Sequence, residues 1–500
     1  MPAWARSHET GLKVKKALTV LAVLTVVLSG VMLYRAATVF VDRQPEPATG
    51  YTELDLDEGG AVQRFAKALT FPTVSYDDRQ QFDTEAFKNF HDFLDEAFPH
   101  VRERARRVVV NGYSLVYHLP GSDPTLEPVL FMGHFDVVPV EENTLDEWSH
   151  PPFAGVVADG IVWGRGSVDD KIGVMALMES LEALLADGIR PRRSVFLAFG
   201  HDEEVSGLDG AARVAEYFES QGIRFDFVLD EGGALTHGLL EGVDRPVAVV
   251  GISEKGYVNL VLTVNAPGGH SSQPPGQTGL GILARAIVRV EDNPFPARLD
   301  FLLPTFDAIG AYMPFGTRLA MSNLWLLSPL VESSLLGDKD SAAGIRTTTA
   351  ATMARGSPKS NILPTRATAV FNFRILPGET VETVRQRIVD LIDDERVRVT
   401  AEYGSDPSPV SPTDSRGYDL LARTIRAMDE SALVAPYMVR GGTDAKYFYG
   451  LSPNVYRFLP VPADARTVKF IHGIDEHVPV DVYLQAIRFY YHMIRQAAGD

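Results

Sequence analysis

The chain has no cysteine. Disulfides, zinc–thiolate centres, iron–sulfur clusters and a cysteine nucleophile are therefore excluded. Any metal must be held by His, Asp and Glu. Positive charge is in short supply: 47 Lys and Arg face 65 Asp and Glu, a net charge of −18. Such a balance argues against nucleic acid as a partner. No GxSxG-type elbow occurs, so a serine hydrolase has no support. There is no internal repeat, and only one long apolar run. The remainder has globular composition, 45% hydrophobic and 22% charged over 500 residues, enough for two to four domains at about 100–200 residues each.

The one long apolar run, Ala17 to Tyr34, is 18 positions without a charge. At about 1.5 Å per residue it makes roughly 27 Å of helix, close to a bilayer core. Arg6, Lys13, Lys15 and Lys16 precede it against one acid, Glu9. Residues 1–16 thus read as a basic cytoplasmic tail, and the bulk of the chain as periplasmic, extracellular or lumenal. A cleaved signal peptide, which would make the protein secreted, is the competing reading. Arg35-Ala36-Ala37 is a poor cleavage site and the run is long for a signal core, so a transmembrane anchor is expected. Residues 42–54, with Pro45, Pro47 and Gly50, read as a linker.

Beyond the linker, short apolar runs stop abruptly at polar residues. Pro128–Met132 leads into Gly133-His134-Phe135-Asp136, Ser194–Phe199 into Gly-His-Asp202-Glu203-Glu204, and Phe225–Leu229 into Asp230-Glu231. Runs of this kind suit strands buried on both faces. Between them, Lys171 to Ala186 carries Ile172, Met175, Met178, Leu181 and Leu185 on one helical face. Alternating strands and helices imply an α/β domain with ligands at the carboxyl ends of the strands. From about Glu254 the pattern changes. Tyr257–Val264, Arg366–Leu376 and Arg396–Tyr403 read as strands, and Gly279–Glu291 and Thr380–Asp393 as helices. We expect an inserted α+β domain over 254–405, carrying a helical insertion at about 294–340, within a catalytic domain of 55–253 and 406–500.

The polar strand ends form a constellation: His134-x-Asp136, Asp169-Asp170, Glu203-Glu204, Asp230-Glu231 and His472. Imidazole with carboxylate suits zinc, manganese or cobalt. A carboxylate shared by two ions about 3.5–4 Å apart makes a two-metal hydrolase site. Asp136, two residues after His134, can orient the imidazole. A Glu-Glu pair lets one carboxylate bind metal while the other stays free as a base.

The motifs Gly133-His-Phe-Asp136, Gly164-Arg-Gly-Ser-Val-Asp-Asp-Lys171, Asp202-Glu-Glu204, Leu229-Asp-Glu-Gly232, Gly268-Gly-His-Ser-Ser272 and Ile471-His-Gly-Ile-Asp-Glu476 stand in one order along residues 55–500. In them the chain resembles the dizinc aminoacylase/carboxypeptidase family of metallopeptidases; its long lid insertion, Asp230-Glu-Gly-Gly233 and N-terminal apolar run look most like the branch of carboxypeptidase S and the N-fatty-acyl-amino-acid synthase/hydrolase. The resemblance implies a zinc-peptidase-like α/β domain with an inserted ferredoxin-like lid, able to dimerise. It implies two zinc ions, replaceable by cobalt or manganese. One would be held by His134 and Asp230 and the other by Glu204 and His472, with Asp169 bridging. At the third strand Asp230 is preferred to the adjacent Glu231. Glu203 would be the general base, Asp136 the orienter of His134, and His270 the oxyanion partner, reaching the site from the lid, often across a dimer. Asn361, Arg374, Gly442 and Thr443 match substrate-recognition positions, Arg374 suiting a carboxylate.

The expected enzyme is a dizinc amidohydrolase that cleaves, or forms, the amide bond of N-acyl amino acids, long acyl chains included. The rival readings are a carboxypeptidase or dipeptidase on short peptides, and a membrane-tethered binding protein without catalysis. The apolar side chains of Pro294–Asp340 have two readings: a buried helical layer that stabilises a larger lid, or a surface of which part lines a channel for a fatty acyl chain.

Overall fold

The computed structural model describes residues 3–50, 53–238, 242–464 and 467–499. The N-terminal helix, Ala3–Thr38, includes Lys15–Thr38, a stretch long and apolar enough to cross a membrane, whose most apolar window is not buried in the protein. Residues 39–50 have neither helix nor strand. They are nevertheless fastened to the body: Gln44 Oε1 accepts from the Val434 amide at 2.7 Å, and Gln44 Nε2 donates to the Val434 and Ala308 carbonyls.

Among the described residues, ten strands form one mixed sheet. Its centre is parallel: Val195–Gly200, Val129–His134, Phe227–Asp230 and Val455–Arg457 lie side by side. Every residue of the first three is buried. The alternation is still present in space. Val129 and Phe131 join the core against helices Lys171–Ala186 and Val480–Ala498, while Leu130 and Met132 join a second core beneath helix Ala211–Ser220. Burial on both faces is why these strands are continuously apolar in sequence.

A second, antiparallel sheet comprises Thr348–Arg355, Arg366–Ile375, Gly256–Asn265 and Val397–Ser405, in that spatial order. Helices Gly279–Glu291 and Val381–Ile392 cover one face. The register explains which: Val258 opposes Phe373, Leu260 opposes Phe371 and Leu262 opposes Ala369, all buried with Leu283, Val384 and Ile388. In chain order this is βαββαβ, with the strands arranged second, third, first, fourth, a ferredoxin-like topology. The insertion between the first helix and second strand is helical: Leu303–Ile309, Phe315–Ser322, Leu324–Leu336 and Lys339–Ile345.

A small sheet of Val156–Ala158, Ile161–Trp163 and His477–Pro479 completes the frame. It brings two distant loops together: the Gly164 amide donates to the Glu476 carbonyl at 3.0 Å.

Candidate metal centre

The parallel strands deliver their carboxyl ends to one place. His134 is the last residue of its strand, Glu203 and Glu204 follow Gly200 within a short 3₁₀ turn, and Asp169 precedes helix Lys171–Ala186. Gly133 permits the close approach, since a Cβ there would lie 2.7 Å from an Asp170 carboxylate oxygen. Donor atoms of His134, Asp169 and Glu204 all fall within 4.8 Å of one another.

The carboxylate of Asp169 is the hub. Its Oδ1 lies 3.0 Å from His134 Nε2 and its Oδ2 lies 3.0 Å from His472 Nε2. His472 Nε2 also lies 3.2 Å from Glu204 Oε2. The other Glu204 oxygen, Oε1, is buried without a hydrogen-bond partner. Two imidazoles and two carboxylates, one of them with an orphaned anionic oxygen, form a donor set that fits divalent zinc-type cations. The electrostatics agree. Hydrogen bonds to Asp169 and Glu204 push the His472 imidazole up to about 10. Burial lowers His134, but hydrogen bonds to Asp136 and Asp169 outweigh it and hold that imidazole well above its usual value. The site therefore favours positive charge. His472 sits in the left-handed region at φ 61°, a conformation that side chains other than glycine adopt at a cost.

Asp136 is fully buried and does more than face His134 Nδ1, 3.4 Å away. Its two oxygens accept the Glu203 and Glu204 amides, each at 3.1 Å, and Ser75 Oγ donates to it as well. One carboxylate thus orients a candidate ligand and the Glu-Glu turn together. Glu203 stands beside this array. Burial, together with the nearby Asp444 and Glu204 carboxylates, raises its carboxyl well above the usual range, only partly offset by His134.

Glu476 performs a similar task for Asp169. It is 1% exposed, pairs with Arg165 Nη1 at 2.6 Å, and accepts the amides of Gly166, Val168 and Asp169 at 3.1, 2.8 and 3.2 Å. Arg165 in turn donates to the His472 carbonyl at 3.2 Å. Sequence reasoning quoted Glu476 and Arg165 within motifs without a role and passed over Ser75; no local pattern marks their distant partners.

Asp230 and Glu231 have different surroundings. Asp230 Oδ2 accepts the Ala445 amide at 2.8 Å. Glu231, which the sequence reading ranked second, lines a cavity together with Asp169. Thr443 is buried, its amide and hydroxyl both given to Glu254, whose carboxylate also pairs with the fully buried Arg457 at 3.1 Å; Gly442 beside it is exposed. Arg374 is exposed and stacks over Tyr257, 4.8 Å from the ring centre. His270 and Asn361 meet in an exposed ribbon, where the Ser271 amide donates to the Asn361 carbonyl at 3.2 Å. Among the described residues, no hydrogen bond or ion pair joins His270 to the Asp169 cluster.

The cavity beside Asp169 and Glu231 measures about 290 Å³ and is mostly apolar, with Val168, Ala234, Leu459, Val461, Phe470 and Ile471 in its wall. Residues 294–340, expected in part to line an acyl channel or else to form a structural layer, do not border this cavity. They pack instead against the N-terminal helix and the strand Leu433–Val439. A larger groove of about 950 Å³, between Arg35–Pro45 and Leu303–Ala308, lies away from the cluster.

Comparison with known proteins agrees with this geometry. The chain is 39% identical over 440 residues to a probable carboxypeptidase S-like 2 of Dictyostelium discoideum, covering 87% of this chain and 84% of that protein. It is 38% identical over 483 residues to the N-fatty-acyl-amino acid synthase/hydrolase PM20D1 of Xenopus tropicalis, covering 95% and 94%. Its fold is that of the M20 family metallo-carboxypeptidase Sso-CP2 from Sulfolobus solfataricus, with a TM-score of 0.63 at 16% identity, covering 88% of this chain and 99% of that one. Residues 130–496 match peptidase family M20/M25/M40, and with the cluster of His134, Asp169 and Glu204 in place, the chain belongs to that family of metal-dependent hydrolases.

Proposed function

We propose that the protein is a two-metal amidohydrolase that cleaves, or in reverse forms, the amide bond of N-acyl amino acids. The observation that carries the reading is the split of the Asp169 carboxylate, one oxygen toward His134 and the other toward His472. That is the arrangement a bridging ligand needs. His134 would hold one ion, His472 and Glu204 the other. For the remaining ligand we favour Asp230, whose carboxylate lies within the field of His134; the Ala445 amide engages only its Oδ2. Two bound zinc ions would supply an acidified water and polarise the amide carbonyl.

The chain's own groups do the rest. Glu203, raised by burial, takes the proton from water and returns it to the leaving amine. Asp136 holds His134 and the Glu203 amide in one geometry, so base and ligand keep their spacing. Arg374 and the exposed Gly442 backbone would receive the free carboxylate of the amino acid, with Thr443 holding that loop through Glu254. His270 would act from a second copy of the chain, the ferredoxin-like unit serving as lid and dimer surface. The exposed edge strand Thr348–Arg355 supports that placement. The 290 Å³ cavity is roughly twice one that holds benzene and is sized for an apolar acyl chain. The N-terminal helix would anchor the enzyme with its catalytic part outside the cytoplasm.

Turnover of acetyl, octanoyl and oleoyl amides of one amino acid, with zinc and with chelator, tests the proposal. We expect chelator-sensitive hydrolysis rising from acetyl to octanoyl. Hydrolysis only of short unblocked peptides would move the reading to a dipeptidase. Full activity without metal would end it.

A further inference from the structure

The N-terminal helix does not leave the body as a free tether. Arg35 Nε donates to the Ser322 carbonyl at 2.8 Å, and Asn323 Nδ2, from a fully buried side chain, donates to the Met32 carbonyl at 3.1 Å. Ala36 is fully buried, and Met32 and Arg35 are half-buried. Met32 lies within the uncharged run Ala17–Tyr34, about 3 Å of helix from its end. The junction between helices Phe315–Ser322 and Leu324–Leu336 is therefore held at the depth of the last turn of the candidate membrane span.

Those two helices meet at 119°. From Leu319 to Val331 they carry no charge. Their outer side is apolar and bare: Phe315, Trp325, Leu326 and Leu330 are 50, 58, 41 and 72% exposed. Leu326 and Leu330, four apart, share one helical face. Large apolar side chains clustered in water are unfavourable, whereas Trp and Leu on one helix face suit the boundary between headgroups and acyl chains.

We infer that the bent pair Phe315–Leu336 lies in the surface of the same phospholipid bilayer that holds the N-terminal helix, a second and monotopic contact that fixes how the catalytic body stands on the membrane. The inference rests on the reading of Lys15–Thr38 as a membrane anchor. The occupant is the bilayer because the hydrogen bonds to Met32 and Arg35 join this surface to the span itself.

The cysteine-free chain allows a direct test. Val23→Cys, Leu330→Cys and Glu219→Cys, each in the full chain and each labelled with a nitroxide, are reconstituted into phosphatidylcholine vesicles after circular dichroism shows an unchanged fold. Paramagnetic relaxation by oxygen is compared with that by a water-soluble nickel chelate. The labels at 23 and 330 should both favour oxygen several-fold relative to 219. If 23 favours oxygen while 330 behaves as 219, the surface contact is refuted and the anchor stands. If 330 is shielded from both reagents, a second protein copy covers it, and the inference fails. If 23 is itself aqueous, the anchor reading fails and takes this inference with it.

Discussion

Glu476 touches neither a presumed ligand side chain nor substrate, yet its replacement by Gln should disable the metal site. In the folded chain its carboxylate faces four donors: the Arg165 guanidinium and the amides of Gly166, Val168 and Asp169. Glu476→Gln leaves the guanidinium of Arg165, 3% exposed, without its counter-charge. Removing one partner of a buried ion pair costs about 3–5 kcal/mol. It also turns an amide NH₂ toward backbone donors, which frees the Asp169 loop. Supporting residues behind metal ligands typically contribute 10–100-fold in metal affinity, so zinc should bind 10- to 100-fold more weakly. Chelator competition measures that loss, and thermal unfolding of the zinc-free protein measures the stability. Arg165→Met combined with Glu476→Leu should recover part of the stability, because no charge is stranded, but not the metal affinity. If Glu476→Gln unfolds at the wild-type temperature and holds zinc as tightly, the view that Glu476 supports Asp169 is refuted.

Three further outcomes are expected. Glu203→Gln should retain its metal while kcat falls by about a hundredfold or more; loss of metal in that variant would exchange the roles of Glu203 and Glu204. Asp230→Asn should lower metal content more than Glu231→Gln, and metal analysis of both variants decides between the two carboxylates. Ala463→Phe, in the wall of the 290 Å³ cavity, should cut kcat/KM for octanoyl amides while sparing acetyl amides, since each methylene excluded forfeits about 0.8 kcal/mol; equal effects on both substrates would place the acyl chain elsewhere.

Much of the architecture was legible because burial leaves long traces. Helices Lys171–Ala186 and Gly279–Glu291 lie where apolar spacing put them, and the alternation of Arg366–Leu376 emerged as the strand Arg366–Ile375. The strand Thr348–Arg355 escaped notice for a physical reason. It is an edge strand of small and polar residues, mostly exposed, with no apolar face to betray its period. The cluster itself was legible because each member ends an apolar run or stands in a motif. Its supports were not. Ser75 acts 61 positions from Asp136, and Arg165 acts 311 positions from Glu476. The preference for Asp230 over Glu231 rests on the resemblance alone, because adjacent residues at a strand end point to opposite sides and the local sequence does not say which side faces the cluster.

The left-handed backbone at His472 has its own consequence. A non-glycine residue held there costs about 1–2 kcal/mol, and the fold by itself would prefer glycine at this position. Selection for foldedness and selection for turnover therefore pull this position in opposite directions. Variants gathered for thermal tolerance alone should drift toward Gly or Asn at 472 and arrive as sturdier but inert proteins. A screen that demands turnover should keep His472 and accept the lower melting point.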